Sequence, residues 1–243
     1  MNDEDELHPN ARLVEHRERA RGPEAASGDQ ELIREVSGHI QRHLGPIYKV
    51  FHERTSDLIH LDLHWLKPRP DFPFHTLVTS GMSQRPMRVP EGAGMFASYA
   101  ELVLHLPDDW PMNPETWRNE THFWPLRLLT TLARMPHQYD TWLCMGHTVD
   151  NAGSPYSPDT RQCAALISPS VSTPEGFNTL ELEGRRINFF SVVPLYKEEL
   201  EFKTRKGAEA LYAKLEEAEV DDVIQPNRPN VCAPKGILGW LRK

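Results

Sequence analysis

One short stretch carries the residues best suited to chemistry. His60, Asp62 and His64 alternate with apolar residues, and alternation along a strand places these three side chains on one face. Neutral imidazoles and a carboxylate are good ligands for a divalent metal ion. Because neighbouring side chains on one strand face splay apart, at least one more ligand would have to come from elsewhere. The same pattern fits a polar sheet face whose histidines bond to neighbouring strands, so both interpretations stay open.

Two other patterns contain a nucleophile but lack its partners. Cys144 and His147 lie three residues apart, which on a strand puts them on opposite faces, so the thiol would have no base. Cys144 is therefore predicted to be a small core residue. Ser80 and Ser83 do not form a G-x-S-x-G elbow, and no phosphate loop or dinucleotide fingerprint occurs. The sequence predicts no catalytic residue set and no cofactor.

Aromatic residues crowd one turn of the chain. Trp110, Trp117, Phe123 and Trp124 lie within fifteen positions of one another. Such a cluster is typical of a core or a lobe interface, and less often of a recognition pocket. Trp124 is for this reason kept as a candidate binding residue.

The helices and strands that position these residues can be predicted from hydrophobic periodicity and from the positions of proline and glycine. The central unit is predicted to be a strand at 99–106, a helix at 126–135 and a strand at 141–145. Pro125 suits the first helical position, and Pro136 is expected to end the helix.

Strands and helices are predicted on both sides of this unit. Asp29 is a plausible N-cap for a helix that ends at Gly45. The remaining predictions are an antiparallel pair of strands at 47–51 and 58–65, a strand at 74–80, a strand at 163–168, a hairpin of 177–182 with 187–193, and helical stretches at 194–200 and 208–219.

Composition bounds the fold class. The chain has 243 residues, 39% of them apolar, and its 21 prolines favour irregular connections over long helices. We expect an α+β fold with mixed, mainly antiparallel sheets and covering helices, built as one unit or as two closely joined lobes. Residues 1–28 are predicted to be a disordered charged tail, 29–224 the folded domain and 225–243 an irregular C-terminal arm.

Charge and cysteine content narrow the classes of partner and the cellular settings that the sequence predicts. A net charge of −8 disfavours nucleic acid and suits a basic protein. We expect no membrane span, because no run of about 18 apolar residues occurs, and no secretory signal, because no apolar run follows the N-terminal charges. Three cysteines far apart in sequence favour a reducing, cytoplasmic setting.

Three blocks of sequence, in order, resemble the suppressor-of-fused domain family. The similarity extends from about residue 32 to residue 219. The blocks are 56–63 with 75–83 and 99–107; 123–134 with 140–143 and 146–148; and 166–169 with 189–200.

The resemblance implies a non-enzymatic mixed α/β binding domain of the single-domain bacterial type. Animal members regulate Hedgehog signalling by clamping a peptide of a transcription factor between two lobes, and in bacteria the domain is associated with toxin–immunity gene neighbourhoods. Where the animal proteins have a Tyr before the Ser-x-Gly turn and acidic residues after it, this chain has Leu77 before it and Gln84, Arg85 and Arg88 after it. The clamping residues are therefore not carried over.

The function predicted from sequence is sequestration of an unidentified protein or peptide partner by a cytoplasmic domain, with toxin neutralisation as one form. The loops 81–94 and 150–159 are the predicted rims of the binding surface. The candidate binding residues are Gln84, Arg85, Arg88, Trp124 and His147. The oligomeric state is left open. The rivals are a metal-dependent hydrolase using His60, Asp62 and His64, and a docking role for the apolar segment 237–241.

Overall fold

The computed structural model describes residues 28–53, 58–92 and 97–234. Within these ranges the chain forms one eight-stranded sheet and four α-helices. The strands are β1 Lys49–His52, β2 Asp62–Leu66, β3 Phe74–Ser80, β4 Tyr99–Pro107, β5 Thr148–Asp150, β6 Ala164–Pro169, β7 Thr179–Leu182 and β8 Arg185–Leu195. The helices are α1 Gln30–Leu44, α2 Glu120–Gln138, α3 Lys197–Lys206 and α4 Ala208–Glu217.

The sheet is mixed but mostly antiparallel, as the sequence predicts. Its order is β1-β2-β3-β4-β8-β6-β5, with β7 paired to β8, and β4 with β8 is the parallel pair. This connectivity brings the end of β1, the start of β2, the end of β3 and the starts of β4 and β8 to the same end of the sheet. The histidine-rich stretch and the loop after β3 therefore lie close together.

Helices cover both faces of the sheet. Leu77, Leu102 and Leu104 point into a core that α2 covers, whereas Val78 and Val103, one position along, point into a core that α1 covers. This alternation follows from the pleat, since successive side chains of a strand point to opposite faces. A third cluster packs α4 against β6 and β8, and its buried members are Ala164, Leu166, Val193, Leu195, Leu211 and Leu215.

Helix α2 begins earlier than Pro125 predicts. Asn119 is the N-cap, and its side-chain oxygen accepts a hydrogen bond of 3.1 Å from the Thr121 amide. Pro125 and Pro136 lie inside the helix, where each removes one backbone hydrogen bond. Burial of α2 against the sheet offsets this loss, and Pro136 does not end the helix, which continues to Gln138.

Two other boundaries differ from the prediction. Residues 141–145 are irregular, and the strand of this region is β5, further along the chain. The backbone of 141–143 instead bonds to the loop after β3: Thr141 O accepts from the Arg88 amide at 3.1 Å. Pro194 lies within β8, so the helix predicted from 194 begins at Lys197.

Residues 225–234 are irregular, and a buried ion pair fixes them to the domain. The Arg228 guanidinium donates to both carboxylate oxygens of Glu199, each at 2.6 Å, and the two side chains are 4% and 0% exposed. Glu199 also accepts from the Val231 amide at 3.0 Å, and Tyr196 OH donates to Arg228 O at 2.6 Å. The first part of the C-terminal arm is thus packed on α3.

Removal of the Arg228 guanidinium should be costly, because it leaves the Glu199 carboxylate buried without its counter-charge. We expect Arg228→Ala to lower the free energy of unfolding by about 3–5 kcal/mol. Arg161→Ala, at an exposed arginine, should change it by less than about 0.5 kcal/mol. Urea unfolding measures both, and equal losses in the two variants would contradict a structural role for the pair.

Candidate functional site

A buried carboxylate organises the loop that follows β3. Glu101 in β4 is 0% exposed. One of its oxygens accepts from the amides of Gly81 and Ser83, both at 2.9 Å, and from the Ser83 hydroxyl at 2.6 Å. The other accepts from the Thr79 hydroxyl at 2.6 Å. Burial raises the pKa of Glu101, while these four donors oppose the rise.

Gly81 is required where the loop meets the histidine-rich stretch. Its φ is +117°, and a Cβ at this position would lie 1.9 Å from the carbonyl oxygen of His60. Only glycine fits both constraints. The serines on either side have structural partners, since Ser83 bonds to Glu101 and Ser80 Oγ lies 2.9 Å from His64 Nε2. This explains the Ser-Gly-Met-Ser pattern without a nucleophile.

The loop presents the predicted rim residues at its surface. Gln84 and Arg85 are half-buried, and the Arg88 side chain is 73% exposed and ion-paired with Asp140. The backbone beneath them is held on two sides: Met82 O bonds to His137 Nε2 at 2.8 Å, and Ser83 O accepts from Arg185 at 3.2 Å. The backbone that carries these residues is therefore held in place.

The other two candidate binding residues are placed differently. Trp124 is 1% exposed and stacks on Tyr156, with ring centroids 5.4 Å apart, so it contributes to the core. His147 is half-buried and packs edge-on against Trp142, with ring centroids 4.4 Å apart. Burial lowers the pKa of His147. A binding role for Gln84, Arg85, Arg88, Trp124 and His147 stays a prediction.

The structure groups a different set of metal-type ligands from the set in the sequence pattern. His52, His60 and Asp62 each place a ligand atom within 4.8 Å of the others. His64 is not in this group, because its Nε2 bonds to Ser80. The further ligand that the splay of strand side chains demands comes from β1, where His52 lies directly opposite Asp62. Alternation within one strand could not reveal this cross-strand neighbour.

A Ser-His-Asp set is present, but its geometry is not that of a catalytic triad. Ser170 Oγ donates directly to Asp222 at 2.7 Å, and His105 turns Nδ1 toward Thr76 Oγ1 at 3.0 Å. In a triad the imidazole lies between the serine and the carboxylate. Burial opposes ionisation of Asp222, yet His105 and the serine hydroxyls hold the pKa of its carboxyl below the ordinary value. The group fixes the segment that follows α4.

An open apolar groove of about 690 Å³ lies between β6 and α4. Met145 and Val171, which are 52% and 71% exposed, line it together with Val193, Tyr212 and Leu215. Its acidic lining residues include Glu209, Glu216, Glu219 and Asp221. Exposed apolar surface bordered by charge is typical of protein interaction sites. The sequence gives little sign of this groove, because its lining comes from four separate segments.

Comparison with known protein families shows to which family this chain belongs. The family described as Suppressor of fused protein (SUFU) matches residues 57–229, well over half of the chain. The chain belongs to the suppressor of fused family. No curated protein matches it.

Solved structures of suppressor of fused proteins share the fold. A suppressor of fused homolog from Neisseria gonorrhoeae FA 1090 has a TM-score of 0.60 and 20% identity, over 83% of this chain and 97% of that one. A chain of the Sufu–Fu complex has a TM-score of 0.58 and 14% identity, over 86% of this chain and 93% of that one. Drosophila Suppressor of Fused has a TM-score of 0.56 and 13% identity, over 82% and 50%. The family and the fold class predicted from sequence are confirmed.

The family match covers most of the site. It includes His60, Asp62, the loop after β3 and the residues of the groove, whereas His52 precedes it. Among the described residues of this suppressor of fused domain, no helix is long and apolar enough to cross a membrane.

The buried imidazole of His64 should make the domain sensitive to acid. Burial lowers the pKa of His64 from 6.5 to about 4, so as pH falls below 6.5 the unfolded chain takes up this proton first and stability declines. The shift corresponds to a loss of about 3 kcal/mol by pH 4.

The measurement compares urea unfolding of the wild type and His64→Gln at pH 7 and pH 4. The variant lacks the titrating group, so the stability of the wild type relative to the variant should fall by about 3 kcal/mol between the two pH values. An unchanged difference would show that His64 is not held neutral by burial.

Proposed function

We propose that this chain is a non-enzymatic protein-binding domain that sequesters a basic protein partner in the cytoplasm. The groove between β6 and α4 carries the proposal. It combines exposed apolar side chains, Met145 and Val171, with an acidic lining, and the whole chain carries a net charge of −8. A basic, partly apolar segment of a partner matches this surface in both respects.

Family membership supports binding as the activity. One of the similar structures is a complex of Sufu with Fu, so a protein of this fold is seen with a protein partner. The polar clusters of the described residues point the same way, because Glu101, Glu199 and Asp222 are each engaged in hydrogen bonds that fix the fold. We propose that the chain has no catalytic turnover.

The finer form of the proposal is neutralisation of a toxin. Blocking a partner by occupying its basic surface needs affinity and no chemistry, and opposite charges accelerate the encounter. A cytoplasmic setting is consistent with the three free thiols, Cys144, Cys163 and Cys232, because disulfides are rare in reducing compartments.

Two rival surfaces come from the sequence. The first is the loop after β3, with Gln84, Arg85 and Arg88, whose arginines suit acidic rather than basic groups. The second is segment 237–241, which lies outside the described residues and could itself occupy a groove; Val231 and Cys232 pack against the cluster that α4 covers.

The hydrolase based on His60, Asp62 and His64 is not favoured, because His64 stays outside the ligand group.

Affinity purification from the native cell, followed by calorimetry with the purified partner, tests the groove. The combined variant Val171→Lys/Glu216→Lys reverses charge there, and we expect it to cost at least about 2 kcal/mol of binding free energy. Arg85→Glu/Arg88→Glu is the matched variant on the loop, and it should bind as the wild type does.

The opposite pattern, with binding lost in the loop variant and kept in the groove variant, would transfer the interface to the loop. A chain that ends at Pro234 separates the third surface: it should retain the partner if the groove binds it, and should lose it if segment 237–241 does.

A further inference from the structure

One buried carboxylate differs from the others. Glu101, Glu199 and Asp222 each accept hydrogen bonds from several donors. The Asp62 side chain is 2% exposed, yet its Oδ1 has no hydrogen-bond partner within the part of the chain that the structure describes. A buried carboxylate oxygen without a donor is unfavourable, so a cation at this oxygen would relieve a real cost.

Two imidazole nitrogens lie beside this oxygen. His52 Nδ1 is 3.1 Å and His60 Nε2 is 3.2 Å from Asp62 Oδ1. In a tetrahedral zinc site with bonds of about 2.0–2.1 Å, neighbouring ligand atoms are about 3.3 Å apart. The two distances therefore match the edges of a metal coordination tetrahedron.

The backbone fixes two of the three ligands. Asp62 begins β2 and pairs with Ser80 at the end of β3. The His60 carbonyl is held against Gly81, whose amide bonds to Glu101. His52, at the end of β1, is the exposed member of the set, with a side chain that is 68% exposed.

We propose that His52, His60 and Asp62 bind a divalent transition metal ion of the zinc type, through Nδ1, Nε2 and a carboxylate oxygen respectively. Two imidazoles and one carboxylate favour Zn²⁺, Co²⁺ or Ni²⁺ over Ca²⁺ and Mg²⁺, which prefer oxygen ligands. Water completes the coordination on the side where His52 meets solvent. The ion joins the end of β1 to the segment before β2 and stabilises that edge of the sheet.

Calorimetry with Zn²⁺ on the tag-free, chelator-treated full chain tests the site. The wild type should bind one equivalent, and its thermal midpoint should rise with Zn²⁺, because a ligand of the folded state stabilises it. His52→Ala removes an exposed ligand and should leave the fold intact, but it should weaken affinity at least about tenfold. His122→Ala, a half-buried histidine outside the group, is the matched control and should bind as the wild type does.

Co²⁺ gives a second readout, since four-coordinate Co²⁺ absorbs visible light strongly. The wild type and His122→Ala should show this absorption, and His52→Ala and His60→Ala should lose it. Two results would overturn the proposal: no stoichiometric binding by the wild type, or wild-type affinity in both His52→Ala and His60→Ala. The second result would assign the metal to other histidines, such as His8 and His16 in the N-terminal segment.

Discussion

Buried carboxylates hold the irregular parts of this domain in place. A carboxylate taken out of water must receive hydrogen bonds or a counter-charge, and in this chain several of the donors come from the connections between strands and helices. Glu101 receives the amides of the loop after β3, Asp222 receives Ser170 and Ser172, and Glu199 receives Arg228 and the Val231 amide. Each acid thus fixes one long connection against the sheet.

This use of polar residues bears directly on function. A nucleophile or a general base must be accessible and poised toward a substrate, whereas Ser83 and Ser170 donate to buried carboxylates and His64 bonds to Ser80. Glu101 holds the start of the loop after β3 at Gly81 and Ser83, and the acidic groove between β6 and α4 rests on the segment that Asp222 fixes. Preordered surfaces bind partners with a smaller entropic cost. Asp62 Oδ1, in contrast, has no hydrogen-bond partner among the described residues, and it lies beside two histidines.

The sequence predicts the elements better than the contacts between them. Helix α1 with its Asp29 cap, the β1–β2 pair, β3, β4 and the β7–β8 hairpin follow from local periodicity and turn residues, and the order of blocks predicts the family. The start of α2 predicted from Pro125 is wrong, because burial of the helix outweighs the local preference of proline for the first turn. Residues 141–145 have strand composition, but their backbone is used by the Arg88 loop. The replacement of His64 by His52 in the ligand group depends on strand register, which local patterns do not encode.

Native-state hydrogen exchange measures the central claim most directly. Gly81, Ser83, Ser172 and Val231 lie outside the α-helices and strands, and each donates its amide to a buried carboxylate. The account predicts that these four amides exchange about as slowly as those of the central strands β4 and β8, because opening them requires a buried charge to lose its partners. Exchange as fast as that of the exposed loop at Glu91 and Gly92 would contradict it.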